Sequence, residues 1–423
     1  MPSNSSHTRL SWIAVLLAVA ARLACMSVWP VRAFSSDLKD WRIFAATMLV
    51  GADPFTSNYG QYLDWPPMWL ETLYALAKIS DWFDWQFFTC VRVFLIAADA
   101  ILVLSTFSLL KLLNGNRPVF VAVLFGLCLN PLLILLTIQQ ANFDVIPTIF
   151  VLWFLYFLIQ SRRSRDPLDW LYSAASLGLA AFAKTYPLAL LPLLISSSRP
   201  LAWKVRMLGA ALCIGPTILS LAPLYVLYPA DITQHVLRYR GTPGVLGVSG
   251  LILLTRGWNA VLNYSPYFTA GLLLSMAALT VALWRRPLRR EPDLVLLAAI
   301  ILIGLFEFGA GYCLYYWMWV ASLLVVSFIF QPPPFRILLL LAAIVIVVTT
   351  CLTLGYDVIQ GSSIATAFPN SFNFKLRAIF SDDTHDLILI SLPMTVATLL
   401  LWIYACQRIL LNWTNPRPET PDE

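Results

Sequence analysis

Residues 37–50 have the sequence DLKDWRIFAATMLV, which combines apolar and acidic side chains in a helical pattern. Its apolar side chains recur at helical spacing along one face, at Leu38, Trp41, Phe44, Ala45, Met48 and Leu49. Asp37 and Asp40 lie one helical turn apart, and we predict them on the opposite face. A helix with two such faces lies in the plane of a membrane surface and does not cross it. The stretch therefore predicts a surface helix, ended by Gly51–Pro54, in a membrane protein.

The composition of the chain also indicates a membrane protein. Of its 423 residues, 59% are hydrophobic and 12% are charged, and the mean hydropathy is +0.76. A soluble chain of this length needs more polar surface than that. The basic residues behind the net charge of +6 occur in short clusters between apolar runs. Such clusters are typical of cytoplasmic loops, so we expect membrane lipids as partners and no nucleic acid.

The apolar runs predict a bundle of membrane-spanning helices, because crossing the hydrocarbon core takes about 20 apolar residues. Runs of this kind occur at 10–29, 86–112, 118–138, 143–160, 205–228, 265–284, 312–330, 336–355 and 387–408. Residues 170–198 predict two helices that meet at Lys184–Pro187, since proline interrupts a helix, and 294–308 predict a short additional helix. The fold class is therefore all-α, a polytopic bundle of about twelve transmembrane helices.

Lysine and arginine clusters give the predicted orientation, since cytoplasmic loops carry an excess of positive charge. Clusters such as Arg162–Arg165 and Arg285–Arg290, with Arg408 and Arg417 in the tail, fall on one side if residues 66–80 form a second surface helix. Both termini are then cytoplasmic, and the longer polar loops face outward from the plasma (inner) membrane.

We predict one integral membrane domain over residues 1–423. Its parts are the first span (10–29), a first outer loop with surface helices (30–85), the helical bundle (86–355), an outer loop (356–386), the last span (387–408) and a cytoplasmic tail (409–423). The seven cysteines are scattered, mostly inside apolar runs, with no spacing typical of a metal site or a disulfide framework. No residue is therefore predicted to bind a metal.

The first candidates for function are the acids of the first outer loop, because polar groups beside the membrane are costly. Asp37 is a candidate general base that accepts a proton from a sugar hydroxyl. The alternative interpretation is an acid that stabilises the start of a helix. Asp40 is a substitute for the same role, or a solvated charge.

Four basic residues are candidates for an anion site. Lys184 lies between two apolar segments and needs a counter-ion, which a phosphate would supply; the alternative is a lysine that extends to the interface. His235, Arg238 and Arg240 lie on the predicted outer side, away from the usual location of positive charge. They form an anion site, or they bind anionic lipid headgroups.

Five residues are candidates for substrate contacts. Asn142 and Asp144 suit hydrogen bonds to sugar hydroxyls, or else they cap the next helix. Tyr186 follows the candidate lysine. Tyr312 and Tyr316 belong to a dense aromatic run that lines a sugar or lipid pocket, or forms an interfacial belt.

In this order the motifs resemble those of a known family. After the acid that opens a helix come Gly51–Phe55, similar to the family's G-x-x-P-[FY], and Asp64–Pro67, similar to its [YW]-P-P. Asn142–Asp144 and Lys184–Leu188 follow in the expected order. The chain resembles the membrane glycosyltransferases with the GT-C fold, and among them family 87, the polyprenyl-phosphate-mannose-dependent mannosyltransferases. The resemblance covers most of residues 10–330.

The resemblance implies a GT-C-type bundle and an activity. Such enzymes move a hexose, usually mannose, from a polyprenyl-monophosphate donor to a hydroxyl of a glycan or glycolipid acceptor on the outer face, with inversion. It implies that Asp37 is the base and that Lys184 helps to hold the phosphate. It also implies that no metal or cofactor is needed, since the lipid-linked sugar is a substrate. The chain departs from several family members at Tyr315-Tyr316, where they have Gln-Tyr.

Two other function classes stay open. A secondary transporter or flippase for a lipid-linked or polar solute is the first, although no inverted repeat is evident and the large outer loop is atypical of transporters. A non-catalytic assembly scaffold is the second, and it would lack an acid accessible beside the membrane cavity.

Overall fold

A computed structural model gives the structure of this chain. It describes residues 4–28, 36–52, 67–113, 119–233, 247–256, 258–309, 316–361 and 385–414. Across these ranges all the regular secondary structure is helical. The all-α prediction is therefore confirmed for the described residues.

Long apolar helices make this an integral membrane protein. Six helices of the described chain are long and apolar enough to cross a membrane: Arg9–Ser27, Phe87–Leu113, Val145–Ser164, Trp203–Leu227, Asn263–Arg285 and Leu392–Thr414. Three apolar helices are shorter than a full span: Tyr186–Ser197, Trp317–Phe330 and Pro333–Val348. The count of twelve spans, the GT-C arrangement and the single membrane domain stay predictions.

The chain divides into two compact units. Unit 1 comprises Met1–Leu188, Pro200–Arg240 and Trp317–Ser322. Its helices are α1 (Asn4–Val28), α2 (Ser36–Leu49), α3 (Pro67–Phe83), α4 (Phe87–Leu113), α5 (Phe120–Val123), a π-helix (Leu124–Cys128), α6 (Pro131–Ile138), α7 (Val145–Ser164), α8 (Pro167–Ala183), α10 (Trp203–Leu227) and α11 (Pro229–Asp231). The first turn of α15 (Trp317–Phe330) also belongs to unit 1.

Unit 2 comprises Ala189–Arg199, Gly241–Tyr316 and Leu323–Glu423. Its helices are α9 (Leu191–Ser197), α12 (Gly247–Arg256), α13 (Trp258–Arg285), α14 (Glu291–Phe308), the rest of α15, α16 (Pro333–Gly361) and α17 (His385–Thr414). A 3₁₀ helix, Tyr186–Leu190, precedes α9, and its residues up to Leu188 belong to unit 1. Most of the predicted outer loop 356–386 lies outside the described residues.

The segment 30–85, predicted as the first outer loop, contains two helices at the predicted positions. Helix α2 has 14 residues and α3 has 17, and a span needs about 20. Their location in the membrane surface stays a prediction.

The run 118–138, predicted as one span, is broken in the structure. The π-helix ends at Cys128, and α6 leaves it at an angle of 43°. The Asn130 side chain caps α6 by accepting a hydrogen bond from the backbone N–H of Leu132 at 3.0 Å, and Pro131 follows at the first helical position. Proline lacks an N–H and cannot continue the preceding helix, so the chain starts a new helix here.

A buried ion pair joins α1 to α4. The Arg22 guanidinium donates to the carboxylate of Asp99, and both side chains are almost fully buried. Thr137 on α6 donates a second hydrogen bond to Asp99, at 2.6 Å. Arg22 also donates to backbone carbonyls of Ala18, Leu127 and Cys128. Charged groups inside a membrane protein are paired in this way because isolated charges are costly there.

Glycine allows a close approach between α8 and α10. A Cβ added at Gly178 would overlap the backbone carbonyl of Leu212, whereas a Cβ at Gly215 of α10 would meet open space. The two helices therefore pack backbone against backbone at Gly178, as small residues permit in membrane bundles.

Replacing Gly178 with alanine is expected to lower the thermal stability of the protein. The added methyl group forces α8 and α10 apart, at a cost of about 1–3 kcal/mol. The matched control is Gly215→Ala, which is expected to be neutral or stabilising because alanine favours helix over glycine. The thermal unfolding midpoints of both variants in nanodiscs test this. A midpoint for Gly178→Ala at or above that of Gly215→Ala would contradict the packing.

Candidate functional site

The connection between α6 and α7 is held in a tight turn. Ala141 adopts a left-handed conformation with φ of 50°, and the side-chain oxygen of Asn142 accepts a hydrogen bond from the backbone N–H of Asp144 at 2.7 Å. Asp144 immediately precedes α7, yet its side chain makes no capping hydrogen bond. Of the two predicted caps, Asn142 fixes the turn, and the fully buried carboxylate of Asp144 is available to another group.

That group is Lys184, at the break after α8. Lys184 is extended, with φ of −163° and ψ of 140°, because the helix ends ahead of Pro187. Its Nζ donates to Oδ1 of Asp144 at 2.6 Å, and the two side chains are 24% and 0% exposed. The lysine was predicted to need a counter-ion, and the carboxylate of Asp144 is one; its contact with a phosphate stays a prediction.

Aromatic rings surround the ammonium group of Lys184. Its Nζ lies 5.2 Å from the ring centre of Phe143 and 5.6 Å from that of Trp319. Tyr186 stacks on Trp319 with ring centres 3.6 Å apart and planes within 4°. Rings at these distances attract a cation through their negative faces, so they hold the lysine beside Asp144.

The same aromatic cluster attaches the two helices of the first outer loop. Trp69 of α3 stacks on Phe143, with ring centres 4.5 Å apart and planes within 10°. Trp41 of α2 meets the edge of Trp69 at 4.9 Å and lies 6.0 Å from Phe143. Both tryptophans are buried. Phe143 is therefore in contact with α2, with α3 and with Lys184.

Thr148, one turn into α7, ties three backbone elements together. Its hydroxyl donates to the backbone oxygen of Asp144 at 2.7 Å. It also lies 3.4 Å from the hydroxyl of Tyr186 and 3.3 Å from the backbone oxygen of Met318. The start of α7, the 3₁₀ helix and the start of α15 thus share one polar contact inside unit 1.

The buried face of α2 consists of Leu38, Trp41, Phe44 and Ala45. The position of the Asp37 side chain opposite this face stays a prediction. The side chain of Asp37 lies outside the described part of the structure. Asp40 lies at the edge of the buried face and is half-buried.

The environment of Asp40 makes its carboxylate easier to protonate. Burial raises its pKa above the ordinary value, and the positive charge of Lys39 opposes the shift. A raised pKa makes a carboxylate a stronger base once it is ionised.

Four of the predicted site residues meet in unit 1: Asn142, Asp144, Lys184 and Tyr186. Tyr316 precedes α15 in unit 2, with its ring 6.3 Å from Phe306. The other predicted residues, His235, Arg238, Arg240 and Tyr312, lie outside the described residues.

Sequence reasoning did not identify three members of this cluster. Trp69 and Thr148 belong to no motif, and Trp319 lies in the aromatic run of Tyr312 and Tyr316 without being singled out. The three are far apart in the chain, so only the folded structure shows that they share one site. It also missed the charges Arg22 and Asp99, although charged residues inside apolar runs are a usable signal.

The described residues include no group of three or more His, Cys, Asp or Glu side chains that could hold a metal ion. Independence of metal stays a prediction for the chain as a whole.

Comparison with solved structures gives a fold likeness. No protein-family profile and no curated protein matches the sequence. The fold is similar to the crystal structure of ArnT from Cupriavidus metallidurans bound to undecaprenyl phosphate, with a TM-score of 0.48 and 16% identity. The match covers 95% of this chain and 77% of that chain. At this level of likeness, the function has to be argued from the site itself.

The ion pair between Lys184 and Asp144 is expected to show strong energetic coupling. Lys184→Met and Asp144→Asn each leave a buried polar partner unsatisfied, so each lowers the free energy of unfolding by about 1–3 kcal/mol. The double variant is expected to lose at least about 1 kcal/mol less than the sum. Urea or thermal unfolding in mixed micelles measures all three.

The control for this cycle is Lys111→Met combined with Asp144→Asn, because Lys111 lies in the last turn of α4 and the cation bound to Asp144 is Lys184. This pair is expected to be additive. Additivity of the Lys184 and Asp144 changes as well would show that the ion pair contributes nothing to the fold.

Proposed function

We propose that the chain is an inverting GT-C-type glycosyltransferase. It moves a hexose, mannose by its resemblance, from a polyprenyl-monophosphate donor to a hydroxyl of a glycan or glycolipid acceptor. The reaction takes place on the outer face of the plasma (inner) membrane, with both termini in the cytoplasm. The observation that supports this most is that the acid-bearing helix α2 and Lys184 contact the same ring, since Trp41 lies 6.0 Å and the Lys184 ammonium 5.2 Å from Phe143.

The proposed chemistry needs one base and one leaving group. Asp37 or Asp40 accepts the proton of the acceptor hydroxyl, whose oxygen then bonds to the anomeric carbon of the sugar. The bond from that carbon to the phosphate oxygen breaks, and its electron pair leaves with the polyprenyl monophosphate. Attack from the face opposite the phosphate inverts the configuration.

Positive charge has to stabilise the departing phosphate, whose negative charge grows as the bond breaks. Lys184 is proposed for this role, because its side chain is 24% exposed. An ammonium group has three N–H donors, so the bond to Asp144 orients Nζ without excluding a phosphate. His235, Arg238 and Arg240 are proposed as further phosphate contacts.

Because Asp144 neutralises Lys184, this pair alone does not provide a net positive site. The proposal therefore requires additional cations near the donor. Ammonium and guanidinium groups supply the charge stabilisation that a metal ion supplies in other transferases, and we propose that the reaction is independent of metal.

The sugar contacts are proposed to come from Asn142, Asp144, Tyr186, Tyr312 and Tyr316. Tyr186 is only 8% exposed and is stacked on Trp319, so its main proposed role is to position the aromatic wall beside Lys184.

A transporter is the main competing function, and the broken span of α5 and α6 is the observation that favours it. Transporters of this kind use broken helices in matched pairs, one in each half. Within the described helices there is one bent pair of this kind, Phe120–Cys128 with Pro131–Ile138, and no matching second pair. We therefore favour transfer over transport.

Replacing the catalytic base is expected to abolish sugar transfer. Asp37→Asn, or Asp40→Asn if Asp40 is the base, should lower kcat by about 100-fold or more, as loss of a general base does. Transfer of labelled mannose from polyprenyl-phosphate-mannose in membranes measures this. Asp81→Asn, an exposed acid of α3, is the matched control and should keep full activity.

The pattern of loss assigns the base. If sugar transfer is lost in Asp40→Asn and kept in Asp37→Asn, the base is Asp40, one helical turn after Asp37. Full activity of both variants would contradict an acid of α2 as the base, and movement of labelled lipid across vesicles without transfer would favour a flippase.

Activity is expected to fall on the acid side of its pH profile. If Asp40 is the base, it works only when ionised, so transfer is lost as the pH falls through the pKa of Asp40, which burial raises. A second positive charge beside Asp40 is supplied by Ile43→Lys, because residue 43 lies one helical turn away on α2 and is only half-buried. A pH–rate profile should show an acid limb above that of an ordinary aspartate, shifted downward in Ile43→Lys. A flat profile through this range would contradict the assignment of Asp40.

A further inference from the structure

Arg92, in the second turn of α4, is a buried cation with two unsatisfied nitrogens and no acidic partner among the described residues. Its side chain is 2% exposed, and neither Nε nor Nη1 has a hydrogen-bond acceptor. Desolvating a guanidinium without pairing it costs several kcal/mol. Proteins retain such charges inside a membrane domain where a ligand or a transported group completes them.

The other buried arginine of this region shows what a structural arginine looks like here. Arg22 donates to the Asp99 carboxylate and to three backbone carbonyls. Cys25, one turn further along α1, lies within electrostatic range of both Arg22 and Arg92. The two arginines therefore share one neighbourhood, and its described carboxylate, Asp99, is bound to Arg22. One positive charge is left, so the neighbourhood favours an anion.

Helix contacts place Arg92 at the end of unit 1 that holds the candidate site. The Thr137 hydroxyl, in the last turn of α6, binds Asp99. Arg92 precedes Asp99 by two turns, or about 10 Å along α4. It therefore lies toward the end of α4 from which Phe94 contacts Trp69, at 6.4 Å. Trp69 in turn stacks on Phe143, the ring beside Lys184.

We propose that Arg92 binds the phosphate of the lipid-linked donor. The inference rests on the proposed function and identifies the cation that the neutral pair of Lys184 and Asp144 leaves missing. A guanidinium group presents planar N–H donors that match phosphate oxygens, and it stays charged in a buried position. Its position inside a membrane-embedded helix suits a phosphate that carries a lipid tail.

The test measures binding of undecaprenyl monophosphate to the full chain in nanodiscs by native mass spectrometry, without any transfer assay. Arg92→Gln is expected to bind it about tenfold more weakly or worse, as loss of a charged hydrogen bond implies. Arg92→Lys should retain part of the affinity. Arg336→Gln is the control, because the Arg336 guanidinium donates to carbonyls of Gln331 and Ile329 in unit 2.

Three competing ligands identify the source of the phosphate. Undecaprenol without phosphate should bind weakly and equally to the wild type and Arg92→Gln. Inorganic phosphate and phosphatidylglycerol should displace undecaprenyl monophosphate poorly. Equal binding of undecaprenyl monophosphate by Arg92→Gln overturns the proposal, and so does Arg92-dependent binding of phosphatidylglycerol alone.

Thermal unfolding of the ligand-free variants keeps the test decisive. Arg92→Gln is expected to melt at or above the wild-type midpoint, because it removes an unpaired charge. Arg22→Gln should melt lower, because it leaves Asp99 unpaired. A drop in Arg92→Gln as large as that in Arg22→Gln would show that Arg92 has a structural role and would overturn the proposal.

The binding result is distinguishable from failure of the proposed function. If binding depends on Arg92 but the wild type transfers no sugar, the proposed transferase activity is contradicted and the phosphate site at Arg92 is supported. If the wild type transfers sugar but binding does not depend on Arg92, the activity is supported and the phosphate site is contradicted.

Discussion

The bond between Lys184 and Asp144 is the interaction on which the site depends. It joins the break after α8 to the turn before α7, across 40 positions of the chain, at 2.6 Å. The carboxylate is fully buried and the ammonium partly exposed, so the pair presents one polar end to its surroundings. A lysine in such a place would otherwise be drawn to the interface; the carboxylate keeps it where the aromatic rings meet.

Phe143 makes this pair part of a larger arrangement. It stacks on Trp69 and lies beside Trp41 and Lys184, so the first outer loop cannot move away from the lysine without exposing buried rings. A base on one helix and a cation on another must keep a fixed separation if both act on the same bond. Packing of large rigid rings is a suitable way to keep that separation, since aromatic side chains have few rotatable bonds.

Many of the helices could be predicted from local sequence, but the ion pairs between distant residues could not. Helical spacing predicted α2 and the buried positions Leu38, Trp41, Phe44 and Ala45, and Pro187 predicted the end of α8, because these signals act within one or two turns. Lys184 was expected to need a counter-ion, but nothing within the chain's local pattern indicates Asp144 rather than a phosphate. The bond of Arg22 to Asp99 spans 77 positions; each charge is visible in its apolar run, whereas the partner depends on helix packing. The run 118–138 is long enough for one span, and only the cap at Asn130 and the following proline break it.

We infer that an acid of α2, Lys184 and a lipid-borne phosphate share one cleft. An experimental structure of the chain in nanodiscs with a non-hydrolysable polyprenyl-phosphate sugar would show whether they do. We expect the phosphate within about 4 Å of a cation of unit 1, and Asp37 or Asp40 facing the anomeric carbon. A phosphate bound elsewhere, with both acids turned toward bulk water, would contradict it.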